Sequence, residues 1–259
     1  MRDSKIRALI WGATGYAGGE LLRIIARHPL MNVAGCVSRS KAGMTIGSVH
    51  PHLRHVFKDN LFISPEEGCQ VDAELVFLAL PHRASAPEAK KHLEAGRKVV
   101  DLSADFRLHS AEEYERWYGV EHPCREYLSE AVYGLPELHR HEIAGARLVS
   151  GVGCNATAAI SALLPFARAG LIEDARVECR VGSSEGGANA GEGSSHSLRS
   201  RTLRMITPFV HRHMAEVVQE LHIPEEMITM GETAVELVRG IQCLAHLRLS
   251  RQVREAEIW

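Results

Sequence analysis

Cys154 stands in the stretch VSGVGCNATAAI (residues 149–160), between glycines and a run of small apolar residues that reads as a helix. A thiol at a helix N-terminus feels the positive end of the helix dipole and the free amides of the first turn. Both favour thiolate, and the amides can hold an oxyanion. That is the setting of a nucleophile, with Gly151 and Gly153 expected to leave room for a substrate. A lone cysteine is also a common inert core residue, so the reading needs a base. FVHRHMAEVVQEL (209–221) places His211 and His213 just ahead of a helix whose Val217, Val218 and Leu221 form an apolar stripe. A Cys–His pair would activate the thiol and carry protons; a solvated histidine pair is the alternative.

A second group could hold a dinucleotide. Gly12, Gly15 and Gly18 form G-x-x-G-x-x-G between the apolar run IRALIW (6–11) and a helix-spaced set, Leu21, Leu22, Ile24 and Ile25. Residues without Cβ let the chain turn tightly and approach a pyrophosphate, and the helix start offers amides to the anion. A glycine triplet alone also serves an ordinary tight turn; its place at the start of a βαβ pattern favours the dinucleotide. Past the second strand stand Ser38, Arg39, Ser40 and Lys41 where an NAD-preferring protein usually carries an acid. A guanidinium and hydroxyls suit a 2′-phosphate, so NADP is expected, the alternative being a solvated loop arginine.

The elements that must position these groups follow from periodicity. NVAGCVSRS, AELVFLALP and KVVDLSADF read as further strands and ASAPEAKKHLEAG as a helix, so the first part should be a parallel sheet covered on both faces. After about residue 150 the strands lengthen and alternate. In ARVECRVGSS, Val177, Cys179 and Val181 share one side, and AVELVRGIQCLAHLRL has the same long-strand look. Pro165 is expected to kink or end the helix after Cys154. The expected division is residues 1–150 and 151–259, closely packed and without a linker.

A net charge of -2 and a pI near 6.7 leave no electrostatic footprint for nucleic acid or an anionic membrane, so small-molecule substrates are expected. No apolar run approaches the ~18 to 20 residues that span a bilayer, and the N-terminus shows no signal peptide, which suggests a cytoplasmic protein. Six cysteines without a C-x-x-C pair argue against a disulfide framework or structural zinc. HPHLRH (His50, His52, His55) is weighed as a metal site and set aside, because its context is irregular and no acid or thiol stands nearby in sequence.

The stretches GATGYAGGELLR, SRSKAG, DLSADFRL, YGLPEL, GCNATA, HRHMAEV and VRGI occur in order over nearly the whole chain. Through them it resembles the NADP-dependent N-acetyl-gamma-glutamyl-phosphate reductases of arginine synthesis and their lysine-pathway relatives. SGVGCNATA lacks the tyrosine and adjacent proline of arginine-type members. With SADFRL upstream it looks like the branch acting on aminoadipate or glutamate attached to a small acidic amino-group carrier protein. The resemblance implies an α/β protein: a Rossmann-type NADP-binding domain, then an α+β catalytic and dimerisation domain of the aspartate-semialdehyde dehydrogenase type, truncated at its C-terminal end. It implies reduction of an acyl phosphate to a semialdehyde with loss of phosphate, with Cys154 as nucleophile and His213 as acid and base. Gly12, Gly15, Tyr16, Ala17, Gly18, Ser38, Arg39, Ser40, Ser184 and Gly186 would meet NADP(H). Arg107, Asn155 and Arg239 would meet substrate, no metal is implied, and homo-oligomers are expected.

Two substrate readings stay open, the carrier-linked one and the N-acetyl one. A carrier would call for a basic rim, for which Arg199, Arg201, Arg204 and Arg212 are candidates. A non-catalytic NADP-binding sensor is the rival from another class, and a Cys–His hydrolase would leave the glycine turn unexplained.

Overall fold

The computed structural model describes residues 5–189, 191 and 194–258. Its contacts divide the chain into two units, Met1–Glu115 with Gly119–Val152, and Arg116–Tyr118 with Gly153–Trp259.

The first unit carries β1 (Ile6–Trp11), α1 (Tyr16–Ile25), β2 (Met31–Val37), α2 (Ile46–Val49), α3 (Pro65–Gln70), β3 (Leu75–Leu78), α4 (Ser85–Glu94), β4 (Lys98–Asp101), α5 (Ala111–Tyr118), β5 (Val132–Tyr133), α6 (Pro136–Gly145) and β6 (Leu148–Ser150). Six strands form a wholly parallel sheet in the order β2-β1-β3-β4-β6-β5. Successive side chains on a strand face opposite sides, and each side here has its own core. Leu9, Trp11, Val76, Leu78 and Val99 fill one, and Ala8, Ile10, Cys36 and Phe77 fill the other. That is why these strands read as continuous apolar runs.

The second unit carries α7 (Cys154–Arg168), β7 (Ile172–Val181), α8 (His196–Arg199), β8 (Arg204–Thr207), α9 (Met214–Leu221), β9 (Ile228–Ala234) and β10 (Ile241–Leu249). The sheet order is β10-β7-β9-β8, parallel between β7 and β9 and antiparallel at the two outer pairs. Ala175, Val177, Cys179 and Val181 are buried on the face that α7 covers, while Arg176 is exposed on the other.

Two sequence expectations change. AVELVRGIQCLAHLRL is not one long strand: β9 ends at Ala234, residues 235–240 turn, and β10 starts at Ile241. β10 lies on the opposite side of β7 from β9, so the chain must cross the end of β7 and reverse, with Gly240 at φ +99°. α7 runs through Pro165 to Arg168, because a proline in the last turn forfeits one amide bond near the helix end. Past β10 a short 3-10 turn forms at Glu255–Glu257.

Unit one buries an imidazole whose titration is testable. His92 packs edge-on against Trp11, ring centroids 5.3 Å apart, and Arg97 Nη1 lies 3.2 Å from its Nδ1. Burial lowers its pKa to about 4; the pull of Glu88 opposes this, and Arg97 and Lys91 reinforce it. The unfolded chain titrates near 6.5, so the stability tied to the neutral ring is present above that pH and lost as pH falls through about 4. Urea unfolding should show a loss of up to ~3 kcal/mol across that window, which His92→Gln flattens. An unchanged slope in the variant would remove His92 as the cause.

Candidate active site

The glycine turn lies between β1 and α1. Gly12 has φ +74°, and a Cβ there would strike the carbonyl group of Ala79, so backbone freedom and a close approach both require glycine. Gly18 is fixed by packing, since its Cβ would lie 2.5 Å from Ala13 Cα. Gly15 differs: its backbone is ordinary extended (φ -80°), and a Cβ would meet nothing within 4 Å. The space before α1 is therefore open. α1 has no side-chain cap and no acid in its first turn, so its leading amides face that space without a built-in anion. Tyr16 and Ala17 are exposed beside it. The turn is pinned by His50, which is buried with Nε2 2.7 Å from the Ala13 carbonyl oxygen. That bond occupies the ring of the histidine weighed as a metal ligand; among the described residues no group of three His, Cys, Asp or Glu could hold a metal ion.

Ser38 is buried just past β2, and its hydroxyl accepts from the Lys41 amide at 3.2 Å. Arg39, Ser40 and Lys41 are exposed on this turn. At the carboxyl end of β4, Asp101 is completely buried and accepts from Ser85 and Ser103. Burial pushes its carboxyl up to about 6 despite these donors. Arg107 is also buried, and its Nε donates to the Gly151 carbonyl at 2.9 Å.

In the second unit Cys154 is exposed and opens α7, a 15-residue helix with no side-chain cap and no acid in its first turn. The preceding residue, Gly153, donates its amide to Glu216 Oε2 at 2.8 Å. Glu216 has no exposed surface and lies on α9, three residues after His213. His213 Nε2 stands 3.9 Å from the same carboxylate, on Oε1. The His213 amide donates to His211 Nδ1 at 3.1 Å, and the two rings meet edge-on with centroids 4.6 Å apart. His211 Nε2 lies 3.1 Å from Glu232 on β9, which also accepts from Asn155 Nδ2. Burial raises the Glu232 carboxyl, but the His211 bond, then Asn155 and Arg212, outweigh it and hold it below its usual range. The start of α7 and the histidine segment are thus joined twice, through Gly153–Glu216–His213 and through Asn155–Glu232–His211.

The expected space beside Cys154 is not the reason for its glycines. A Cβ on Gly153 would collide with the Glu216 carboxylate and stand 3.0 Å from His213 Cδ2, and one on Gly151 would lie 2.9 Å from Leu102 Cα. Close packing demands both. Asn155 is buried with its amide nitrogen committed to Glu232, while Oδ1 makes no hydrogen bond among the described residues. The amides of Ser183 and Ser184 donate to the carbonyls of Leu237 and Val238 at 2.8 and 2.9 Å, which brings Ser184 and Gly186 close along the chain to the turn holding exposed Arg239. Ala190 and Glu192, a few residues further along the chain, lie outside the described residues. Arg199 departs from the expected rim: it is buried, donates to the Val181 carbonyl and sits 3.7 Å from Glu185, so its charge is turned to the backbone and to an acid of its own unit. Arg201, Arg204 and Arg212 are exposed. Sequence reasoning missed Glu216 and Glu232. The spacing HMAE offered a signal for the first, since residues three apart share a helix face; for the second, an acid in a short strand, there was none.

An α/β chain with a glycine turn after its first strand and an exposed cysteine heading a helix beside paired histidines defines a two-part oxidoreductase of the aldehyde type. The chain belongs to the semialdehyde dehydrogenase family: residues 7–146 match its NAD binding domain and residues 154–259 its dimerisation domain. It is 44% identical over 259 residues to a putative LysW-L-2-aminoadipate 6-phosphate reductase of Thermomicrobium roseum, covering 98% of this chain and 73% of the relative. It is 42% identical over 264 residues to the LysW-L-2-aminoadipate/LysW-L-glutamate phosphate reductase of Saccharolobus solfataricus, covering 100% and 75%. Among solved structures, aspartate semialdehyde dehydrogenase II of Vibrio cholerae shares the fold at a TM-score of 0.71 and 16% identity, covering 98% of this chain and 78% of that one. Aspartate semialdehyde dehydrogenase with NADP from Candida albicans does so at 0.66 and 15%, covering 98% and 75%. Among the described residues no helix is long and apolar enough to cross a membrane.

Gly153→Ala tests the join between the two elements. The new methyl must displace Glu216 or His213, so iodoacetamide labelling of Cys154 should slow by roughly tenfold, and stability should fall by about 1–3 kcal/mol. Labelling at the wild-type rate would show that the Glu216 contact does not set the thiol's environment.

Proposed function

We propose that this chain reduces an amino-protected acyl phosphate to the semialdehyde with release of phosphate, using NADPH, and that the protected amino group is borne by an acidic carrier protein. The observation that carries the reading is the exposed thiol of Cys154 on the open first turn of α7, tied through Gly153 to the buried Glu216 beside His213. The names of the relatives supply the substrate class, aminoadipyl or glutamyl phosphate on LysW. The exposed Arg201, Arg204 and Arg212 offer cations to an acidic carrier. The dimerisation domain supports a homo-oligomer.

Cys154 attacks the acyl carbon; the first-turn amides of α7 hold the oxyanion, and phosphate leaves to give a thioester. Bound NADPH supplies the hydride that converts this thioester to a thiohemiacetal. His213 moves the proton as the thiohemiacetal collapses to the aldehyde and frees the thiolate. Sulfur suits both steps, being a soft nucleophile and a good leaving group. Glu216 and His211 hold the imidazole in place. On the first unit, the open amides before α1 would take the pyrophosphate and Arg39 the 2′-phosphate, with Ser38 shaping that turn. Arg107 and Arg239 are the proposed guanidinium partners of the substrate's anionic groups.

The reverse reaction, phosphate-dependent oxidation of a semialdehyde with NADP, tests this. Carrier-linked aminoadipate and glutamate semialdehydes should turn over, N-acetylglutamate semialdehyde should not, and Cys154→Ser should lose at least ~10³ in kcat. Turnover of the N-acetyl substrate alone would move the chain to the arginine-type reaction. NADPH binding without any turnover would make it a binding module. Arg39→Ala should raise KM for NADP by roughly tenfold while leaving NAD use unchanged; equal effects on both would remove Arg39 from the 2′-phosphate.

A further inference from the structure

Antiparallel β7 and β10 set Cys179 directly opposite Cys243, and their register slips only at Arg248/Leu249, beyond the pair. One step past the Val181–Ile241 pair, the Gly182 amide donates to the Gly240 carbonyl at 3.1 Å. Hydrogen-bonded and non-hydrogen-bonded pairs alternate along such a ladder. Counting inward, 182/240 is bonded, 181/241 is not, 180/242 is bonded, and Cys179/Cys243 is not. At a non-hydrogen-bonded pair the Cα atoms stand about 4.5 Å apart and the side chains are closest. That falls inside the ~4.4–6.8 Å span of a disulfide. Both thiols are free; Cys179 is buried and Cys243, on the edge strand, is half-buried.

We infer that Cys179 and Cys243 are a redox modification site that closes to a disulfide when a peroxide reaches the edge strand. The Cys243 sulfur attacks the peroxide and becomes a sulfenic acid, and the first molecule of water leaves. The Cys179 sulfur then attacks Cys243, losing its proton to the departing hydroxyl, which leaves as the second water. Two thiols and one hydrogen peroxide give one disulfide and two waters. The order of attack follows from the thiols' environments: the hydrogen bond they share, with burial, raises Cys179 far above a free thiol, and the same bond lowers Cys243. The bond would bracket residues 180–242, the segment that carries His211, His213, Glu216 and Glu232. It would also take away the Cys179 S–H that lies 3.8 Å from the Asn155 carbonyl, one residue beyond Cys154.

The test uses the full chain, reduced, treated with hydrogen peroxide, blocked with N-ethylmaleimide and digested with trypsin without reductant. Cys154, Cys179 and Cys243 fall in separate tryptic peptides, 148–168, 177–180 and 240–248. The expected product joins 177–180 to 240–248, disappears with dithiothreitol, and is absent from Cys243→Ser, or from Cys243→Ala should the serine variant not fold. It should persist in Cys154→Ser, because the active-site thiol takes no part. Recovery of both peptides as maleimide adducts after Cys154 has oxidised, a Cys154–Cys179 link, or loss of the cross-link in Cys154→Ser would each overturn the inference. The readout is peptide mass, so it stands apart from the proposed reaction.

Discussion

A carboxylate with no exposed surface must find donors, and Glu216 takes one from the amide of Gly153, directly before the cysteine. Much of the second unit follows from that bond. It draws α9 against the start of α7 and makes a side chain at position 153 impossible. It also sets His213, at the head of α9, near the turn that carries the thiol. Removing one partner would strand a buried charge or a buried amide, which is why the contact is firm and its surroundings are crowded. Glu232 repeats the device one strand away, holding Asn155 from α7 and His211 from the histidine segment with a single carboxylate. Two interior acids therefore fix the cysteine-bearing helix α7 and the imidazole segment to each other.

The same logic of open helix ends runs through both units. α3 and α5 begin with serines, Ser64 and Ser110, whose hydroxyls accept first-turn amides. α1 and α7 begin after glycines in extended backbone and have no such cap. Their leading amides keep their partial positive charge for an anion, at a cost to helix stability that packing must offset. In the first unit that packing includes His50 gripping the Ala13 carbonyl and Gly12 pressed on Ala79. In the second it is the Glu216 contact.

Local patterns made much of this legible. The strand, glycine turn and helix of residues 6–25 could be read directly because a parallel strand buried on both faces, a left-handed Gly12 and an amphipathic helix each leave a short-range signature. The cysteine at a helix start was legible for the same reason, as were the paired histidines before α9. Boundaries that depend on pairing were not. The break between β9 and β10 exists because β10 lies across β7, and no property of the run AVELVRGIQC announces it. Arg199 illustrates the opposite error: a run of arginines reads as a solvated rim, yet its first member turns inward to Glu185.

The sequence by itself determined which groups could do chemistry and which elements carry them, because helix and strand periods, glycine conformations and family motifs all act over a few residues. Only the tertiary structure decided what those groups are fastened to. Glu216, Glu232 and the opposed cysteines 179 and 243 gain their meaning from partners tens of residues away. Burial of a charge, a ladder's register and a missing Cβ's clearance are properties of the folded chain, where segments distant in sequence share one low-dielectric space.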